Sequence, residues 1–196
     1  MDQKIITLYD EYTHTSLSRK DFLNRLAVLV GSTTMAMTML PMLENNYANA
    51  ASPTQMDLIE EQVSFPGVEG SINAFSARPK GKQKLGTILV IHENRGLNPH
   101  IIDVTKRVAA EGFVAVAVDA LSPFGGTPAD EDKARELIGS LDKEKNLKNY
   151  LLALDYLRAR QDGNGKTGCV GFCWGGAMAN NLAVHDPKLL AAVAYY

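Results

Sequence analysis

The chain has 196 residues, 20 lysines and arginines against 22 acidic side chains, a formal net charge of −2, and 45% apolar against 21% charged residues. These proportions exclude a disordered or collagen-like polymer, and the absence of a basic block or acidic tail leaves a small molecule, not a nucleic acid, as the expected partner. Two cysteines, Cys169 and Cys173, cannot build a disulfide framework and lack the paired C-x-x-C spacing of a zinc site. No metal or organic cofactor is implied by the reading developed below.

Residues 1–50 read as an export signal. Leu26 to Leu43 carry no charge, follow Ser18-Arg19-Lys20-Asp21-Phe22-Leu23, and precede the small-x-small triplet Ala48-Asn49-Ala50, the basic, apolar, cleavable order of such segments. The hexapeptide is similar to a twin-arginine signal with Lys20 in place of the second arginine. Gly31, Ser32, Thr33, Thr34 and Pro41 interrupt the apolar run, so it would hold poorly in a bilayer core about 30 Å thick. Export to the periplasm or the exterior, with no stable membrane insertion after cleavage, is the expectation. A retained N-terminal membrane anchor or a packed helix are the alternatives. Residues 51–59 read as a linker and 60–196 as the folded domain.

Within that domain, Glu60–Pro79 alternates around Pro66-Gly67 and Glu69-Gly70 as a β-hairpin. Leu85–His92 is a short apolar run of the kind buried on both faces in a parallel sheet. Asn98-Pro99 opens a helix that Gly112 stops, and Phe113–Asp119 is a second buried strand, completing a βαβ unit. Helical patterns follow at Asp130–Leu141 and Lys145–Arg160, with Gly163-Asn164-Gly165 closing the region. Thr167–Phe172 then reads as a strand, Trp174–Val184 as a helix and Leu189–Tyr196 as one more strand. The alternation predicts an α/β class with a mainly parallel, doubly wound sheet.

Gly171-Phe172-Cys173-Trp174-Gly175 fits G-x-nucleophile-x-G between a predicted strand and a predicted helix, the setting that a nucleophile elbow requires. The turn is so tight that positions 171 and 175 must admit close backbone approach, and the helix N-terminus behind it offers N–H groups to a developing oxyanion. A buried cysteine in a glycine-rich turn is the plainer alternative. Glu93 stands at the C-terminal end of a buried strand, where α/β sheets gather their ligands; pairing with Arg95 on the surface is its alternative. Cys169 reads as a core thiol.

These residues resemble the dienelactone hydrolase family, α/β-hydrolases with a cysteine nucleophile. The resemblance runs from about Glu60 to Tyr196 and rests on Gly171-Phe172-Cys173-Trp174-Gly175-Gly176, on Val90-Ile91-His92-Glu93-Asn94-Arg95-Gly96-Leu97, and on Asp119-Ala120-Leu121. It implies an α/β-hydrolase fold, Cys173 as nucleophile, Glu93 as the carboxylate that controls its ionisation, and an ester or lactone as the small-molecule substrate. By the hydrolase pattern, the oxyanion hole takes the backbone N–H groups of Trp174 and, by resemblance, Asn94. Trp174 can equally pack, and Asn94 can equally be a turn former. Dienelactone-cleaving members carry an arginine in the loop that reads Leu121–Gly126 here, which has none, so a broader ester or lactone hydrolase is expected.

The family's acid and histidine follow the nucleophile in chain order. His185 and Asp186 sit at the end of the helix after the elbow and read as its C-terminal punctuation. His92 should point away from Glu93 by strand alternation, and His100 begins the helix after the Glu93 loop. The acid and histidine are therefore expected beyond Tyr196, with the fold incomplete at its C-terminus and an apolar edge exposed. Two rivals follow: a non-catalytic binding module that keeps the pocket, and a thiol redox protein using Cys169 and Cys173.

Overall fold

The computed structural model describes residues 2–15, 17–43 and 57–196; the triplet at 48–50 and residues 51–56 of the expected linker lie outside them. The chain divides into two compact units, Met1–Ala51 and Ser52–Tyr196. In the first, α1 (Gln3–His14), α2 (Arg19–Val30) and α3 (Thr33–Leu43) form a small apolar cluster. Ser18 caps α2 by accepting the Asp21 N–H at 3.2 Å while donating to the Asp21 carboxylate at 2.8 Å, a reciprocal arrangement that satisfies a free helix donor. Gly31, at φ 86°, ends α2. The apolar run is thereby divided into two helices bent by 113°, and no single helix among the described residues is long and apolar enough to cross a membrane. Ile5, Leu8 and Tyr12 of α1 cluster with Phe22 and Leu26 of α2 and Ala36 and Leu40 of α3, and the Tyr12 and Phe22 rings stack at 4.4 Å.

The second unit is a six-stranded sheet with helices on both faces. Its strands are β1 (Leu58–Pro66), β2 (Ser71–Pro79), β3 (Leu85–Ile91), β4 (Val114–Val118), β5 (Gly163–Phe172) and β6 (Ala191–Tyr195), in the order β1-β2-β4-β3-β5-β6. The hairpin β1–β2 is antiparallel and joins β4 antiparallel, whereas β4, β3, β5 and β6 run parallel. This is the expected α/β-hydrolase architecture. Strand β1 starts at Leu58, inside the stretch read as linker. All five residues of β4 are buried, as a strand covered on both faces must be.

Strand periodicity divides the core between the two faces. Leu89 and Ile91 pack with Tyr150, Leu154 and Leu157 of α6 (Lys143–Ala159) and with Met178 and Leu182 of α7 (Trp174–His185). The intervening Val90 packs with Ile101 of α4 (Pro99–Ala110) and Ala117. Helix α4 starts where the dipeptide predicts: Asn98 accepts the Ile101 N–H at 3.1 Å and Pro99 occupies the first turn, where a missing N–H costs nothing. Strand β5 is longer than expected. Gly163, read as part of a loop, pairs with Leu85 across a register shift before Thr87 meets Thr167, and its missing side chain leaves room for Thr87. The bulge keeps a glycine-rich turn inside the ladder.

Tyr150 is fully buried, and its hydroxyl has no hydrogen-bond partner among the described residues. Desolvation accordingly pushes its ionisation far above the ordinary phenol range. Removing an unsatisfied buried hydroxyl relieves a penalty of about 1–3 kcal/mol, so Tyr150→Phe is expected to hold or raise stability in urea unfolding. Leu154→Ala, on the same helix and fully buried, should lower it by about 2–5 kcal/mol.

Candidate active site

The C-terminal ends of β3, β5 and β6 meet at one turn, residues 172–175. Between Phe172, the last of β5, and Trp174, the first of α7, the chain reverses through Cys173 at φ 53° and ψ −114°. Such a conformation is strained by roughly 1–3 kcal/mol for a residue with a side chain and persists only where the surroundings over-determine it. The surroundings are backbone. A Cβ on Gly171 would overlap the Gly175 carbonyl, and one on Gly175 would lie 2.5 Å from the carbonyl oxygens of Ile91 and His92. The two glycines thus let the first turn of α7 rest directly on the end of β3. The Cys173 N–H donates to the Tyr195 carbonyl of β6 at 3.0 Å, tying the turn to the other side. The thiol is half-buried, and the opening N–H groups of α7, Trp174 first, have no acceptor within their own helix.

Beside the elbow, β3 runs out into His92-Glu93-Asn94. Both residues lie just past the end of β3, and their side chains take different partners. His92 is fully buried, with its ring stacked on Trp174 at 5.3 Å and 9°, whereas Glu93 is half-buried and accepts the Tyr196 hydroxyl at 2.6 Å. Desolvation pushes the His92 imidazole below its ordinary value, against the opposing pull of Asp119 and Glu93. His100, in the first turn of α4, is also held below its ordinary value by burial, and Glu93 is the foremost charge opposing that shift. Asn94 is half-buried in the loop between them.

A second set of contacts holds the Glu93 loop in place. Asp119, at the end of β4, accepts the N–H groups of Leu121 at 3.0 Å and Thr127 at 2.9 Å and the Thr127 hydroxyl at 2.8 Å. The Thr127 oxygen in turn accepts the Leu97 N–H at 2.8 Å. Gly96, at φ 73°, passes so close that any side chain there would overlap Thr127. Arg95 forms an ion pair with Glu131 at 3.2 Å, which fastens the loop to the start of α5 (Glu131–Ser140).

Other candidates fall elsewhere. His185 ends α7 with its Nδ1 2.8 Å from the Asn181 carbonyl, and Asp186 caps that helix and pairs with Arg158 of α6. They stand at the far end of the twelve-residue helix α7, about 18 Å from Cys173 at its start. Cys169 is buried in β5, and desolvation pushes its thiol up to about 11, the behaviour of a core sulfur. Among the described residues no cluster of three His, Cys, Asp or Glu side chains could hold a metal ion. Thr127 and Tyr196 are contributors that sequence reasoning missed. Thr127 had a faint signal, a hydroxyl residue after Gly125-Gly126 in the loop leaving a strand-end aspartate; Tyr196 had none.

Compared with known proteins, residues 72–196 match the model of the dienelactone hydrolase family, and residues 1–31 match a model described as YqhI-like. The chain is similar to "Putative hydrolase fragment YghX" of Escherichia coli K12, 38% identical over 112 residues, covering 55% of this chain and 96% of that one. It is also similar to "Putative carboxymethylenebutenolidase" of the same organism, 31% identical over 166 residues, 78% of this chain and 61% of the other. Among solved structures it resembles "Putative Dienelactone Hydrolase from Klebsiella pneumoniae", with a TM-score of 0.64 at 30% identity, covering 71% of this chain and 60% of that one. The chain thus spans about three fifths of the length of these last two proteins.

The glycine contacts predict a contrast between two alanine substitutions. Gly175→Ala forces α7 off the β3 carbonyls and should cost about 3 kcal/mol or more in urea unfolding, within the range of core overpacking. Gly139→Ala, in α5 with nothing within 4 Å of the added methyl, should gain roughly 0.5–1 kcal/mol.

Proposed function

The chain belongs to the dienelactone hydrolase family, and on that premise we propose that it hydrolyses a carboxylic ester or lactone by covalent catalysis at Cys173. The observation that carries the reading is the strained cysteine itself. A thiol held at φ 53° on a helix N-terminus, between two glycines that tolerate no side chain, is placed where a nucleophile has both access and nearby N–H donors.

In this mechanism the Cys173 thiolate attacks the acyl carbon, and the carbonyl electron pair moves onto oxygen. The N–H groups of Trp174 and Asn94 stabilise that charge as it develops. Collapse breaks the bond to the alcohol oxygen, which takes up a proton, and leaves an acyl thioester on Cys173. Water then cleaves the thioester to the carboxylic acid and restores the thiol. Glu93 is the carboxylate that governs ionisation of the thiol. The substrate class is broad: the loop Leu121–Gly126 has no arginine, and Arg95 is engaged by Glu131. The redox reading finds no support, because Cys169 is a buried thiol held protonated at neutral pH.

Residues 1–50 are proposed to direct export. Ser18-Arg19-Lys20-Asp21-Phe22-Leu23 and the apolar run behind it have the order of a cleavable signal.

Two measurements test these readings. With p-nitrophenyl acetate, the full-length protein is expected to turn over and to show an acyl adduct on the Cys173 peptide by mass spectrometry. Cys173→Ala should lose about 1,000-fold or more in kcat, and a Cys173→Ala protein as fast as its parent would overturn the mechanism. For export, N-terminal sequencing of the protein from fractionated cells should find Ala51 first, outside the cytoplasm. Recovery of residues 1–50 in a membrane fraction would favour an anchor, and their recovery in the cytoplasm would overturn export.

A further inference from the structure

His92 contacts the peptide group that carries one donor of the oxyanion hole proposed above and the side chain of the residue that carries the other. The Glu93 carbonyl and the Asn94 N–H belong to one peptide group, and that group is trans. In a planar trans peptide the carbonyl and the N–H point in opposite directions, so whatever grips the first aims the second. His92 Nδ1 lies 2.6 Å from the Glu93 carbonyl oxygen. Its other nitrogen, Nε2, lies 3.2 Å from the backbone nitrogen of Ala120. A backbone amide can only donate, so Nε2 is the bare nitrogen and Nδ1 carries the proton that it donates to Glu93. Protonation of the ring would set an N–H against the Ala120 N–H, and complete burial also disfavours it.

The ring plane is fixed as well. It lies 5.3 Å from the Trp174 ring and nearly parallel to it, and Trp174 supplies the second N–H of the proposed hole. One neutral imidazole thus links the end of β3, the loop after β4 and the first residue of α7. These are the three pieces whose mutual position sets the distance between the two donors.

Resting on the reading of Cys173 as nucleophile, we propose that His92 is a positioning residue: by donating to the Glu93 carbonyl it aims the Asn94 N–H at the developing oxyanion. It does not touch the substrate, and neither of its nitrogens is left for proton transfer. Loss of one oxyanion donor costs about 100- to 1,000-fold in kcat, and misdirection of Asn94 should approach that range.

The test compares three substitutions in the full-length protein. His92→Asn places an amide N–H near the position of Nδ1. His92→Gln places its amide near Nε2, facing Ala120, and His92→Phe keeps only the stack. With p-nitrophenyl acetate, the Gln and Phe variants are expected to lose about 100-fold in kcat with KM nearly unchanged, while Asn recovers most of that loss. Thermal melting is measured alongside, because a merely structural role would make activity track stability across all three variants. Either a Phe variant with the parent's kcat, or an Asn variant as slow as Phe at equal stability, overturns the inference. Should the variants fail to fold, nitrogen NMR of the parent decides. A protonated Nδ1 and a bare Nε2 support the proposal, and the opposite tautomer overturns it. A parent with no Cys173-dependent turnover overturns the mechanism and this inference together; a parent with such turnover beside an equally fast Phe variant overturns the inference alone.

Discussion

Everything at the site depends on a backbone-to-backbone contact: the first turn of α7 lying against the last carbonyls of β3. No side chain fits between them at Gly175, so the helix axis is set by van der Waals contact between main chains, not by a deformable packing of side chains. That contact forces Cys173 into its strained turn and brings Trp174 over His92. It also leaves the loop that begins at Glu93 as the neighbour of the elbow. A methyl group at position 175 would move all of these together.

The loops above the sheet are held by a second, polar constraint. Asp119 has very little exposure, yet three donors from its own loop satisfy its carboxylate, and Thr127 passes the connection on to Leu97. A buried carboxylate is tolerated when it is hydrogen-bonded in this way. The segment 93–97 is therefore braced at both ends, by His92 where it leaves β3 and by Thr127 at Leu97. Loops that carry chemistry need such bracing, because displacements of about 1 Å in a reacting geometry are costly.

How much of this could be read in the sequence depends on how far apart the interacting residues are. The elbow is local: Gly171, Cys173 and Gly175 constrain one another across two residues, so their spacing announces the turn. The start of α4 is local too, written in Asn98-Pro99. Strand β4 declares itself because burial on both faces leaves only apolar residues, and β3 does so through the apolar run Ile88–Ile91 that follows its one buried hydroxyl, Thr87. By contrast, Tyr196 meets Glu93 across 103 residues and Thr127 meets Leu97 across 30, and no spacing encodes either contact. The bulge at Gly163 was hidden because glycines that permit a loop also permit a bulge, and only the pairing with Leu85 decides between them. The His92 hydrogen bonds were not readable, since Ala120 arrives from the loop after another strand.

The second cysteine has a consequence of its own. Cys169 is buried in β5, between β3 and the edge strand β6, with its thiol near 11, so near neutral pH it stays in the unreactive protonated form while the domain is closed. An alkylating reagent can reach it only when β5 and the helices packed on it separate. The extent of labelling at that one sulfur, timed against folding or heating, is a natural clock for opening of the core, present in the unaltered chain and independent of any activity.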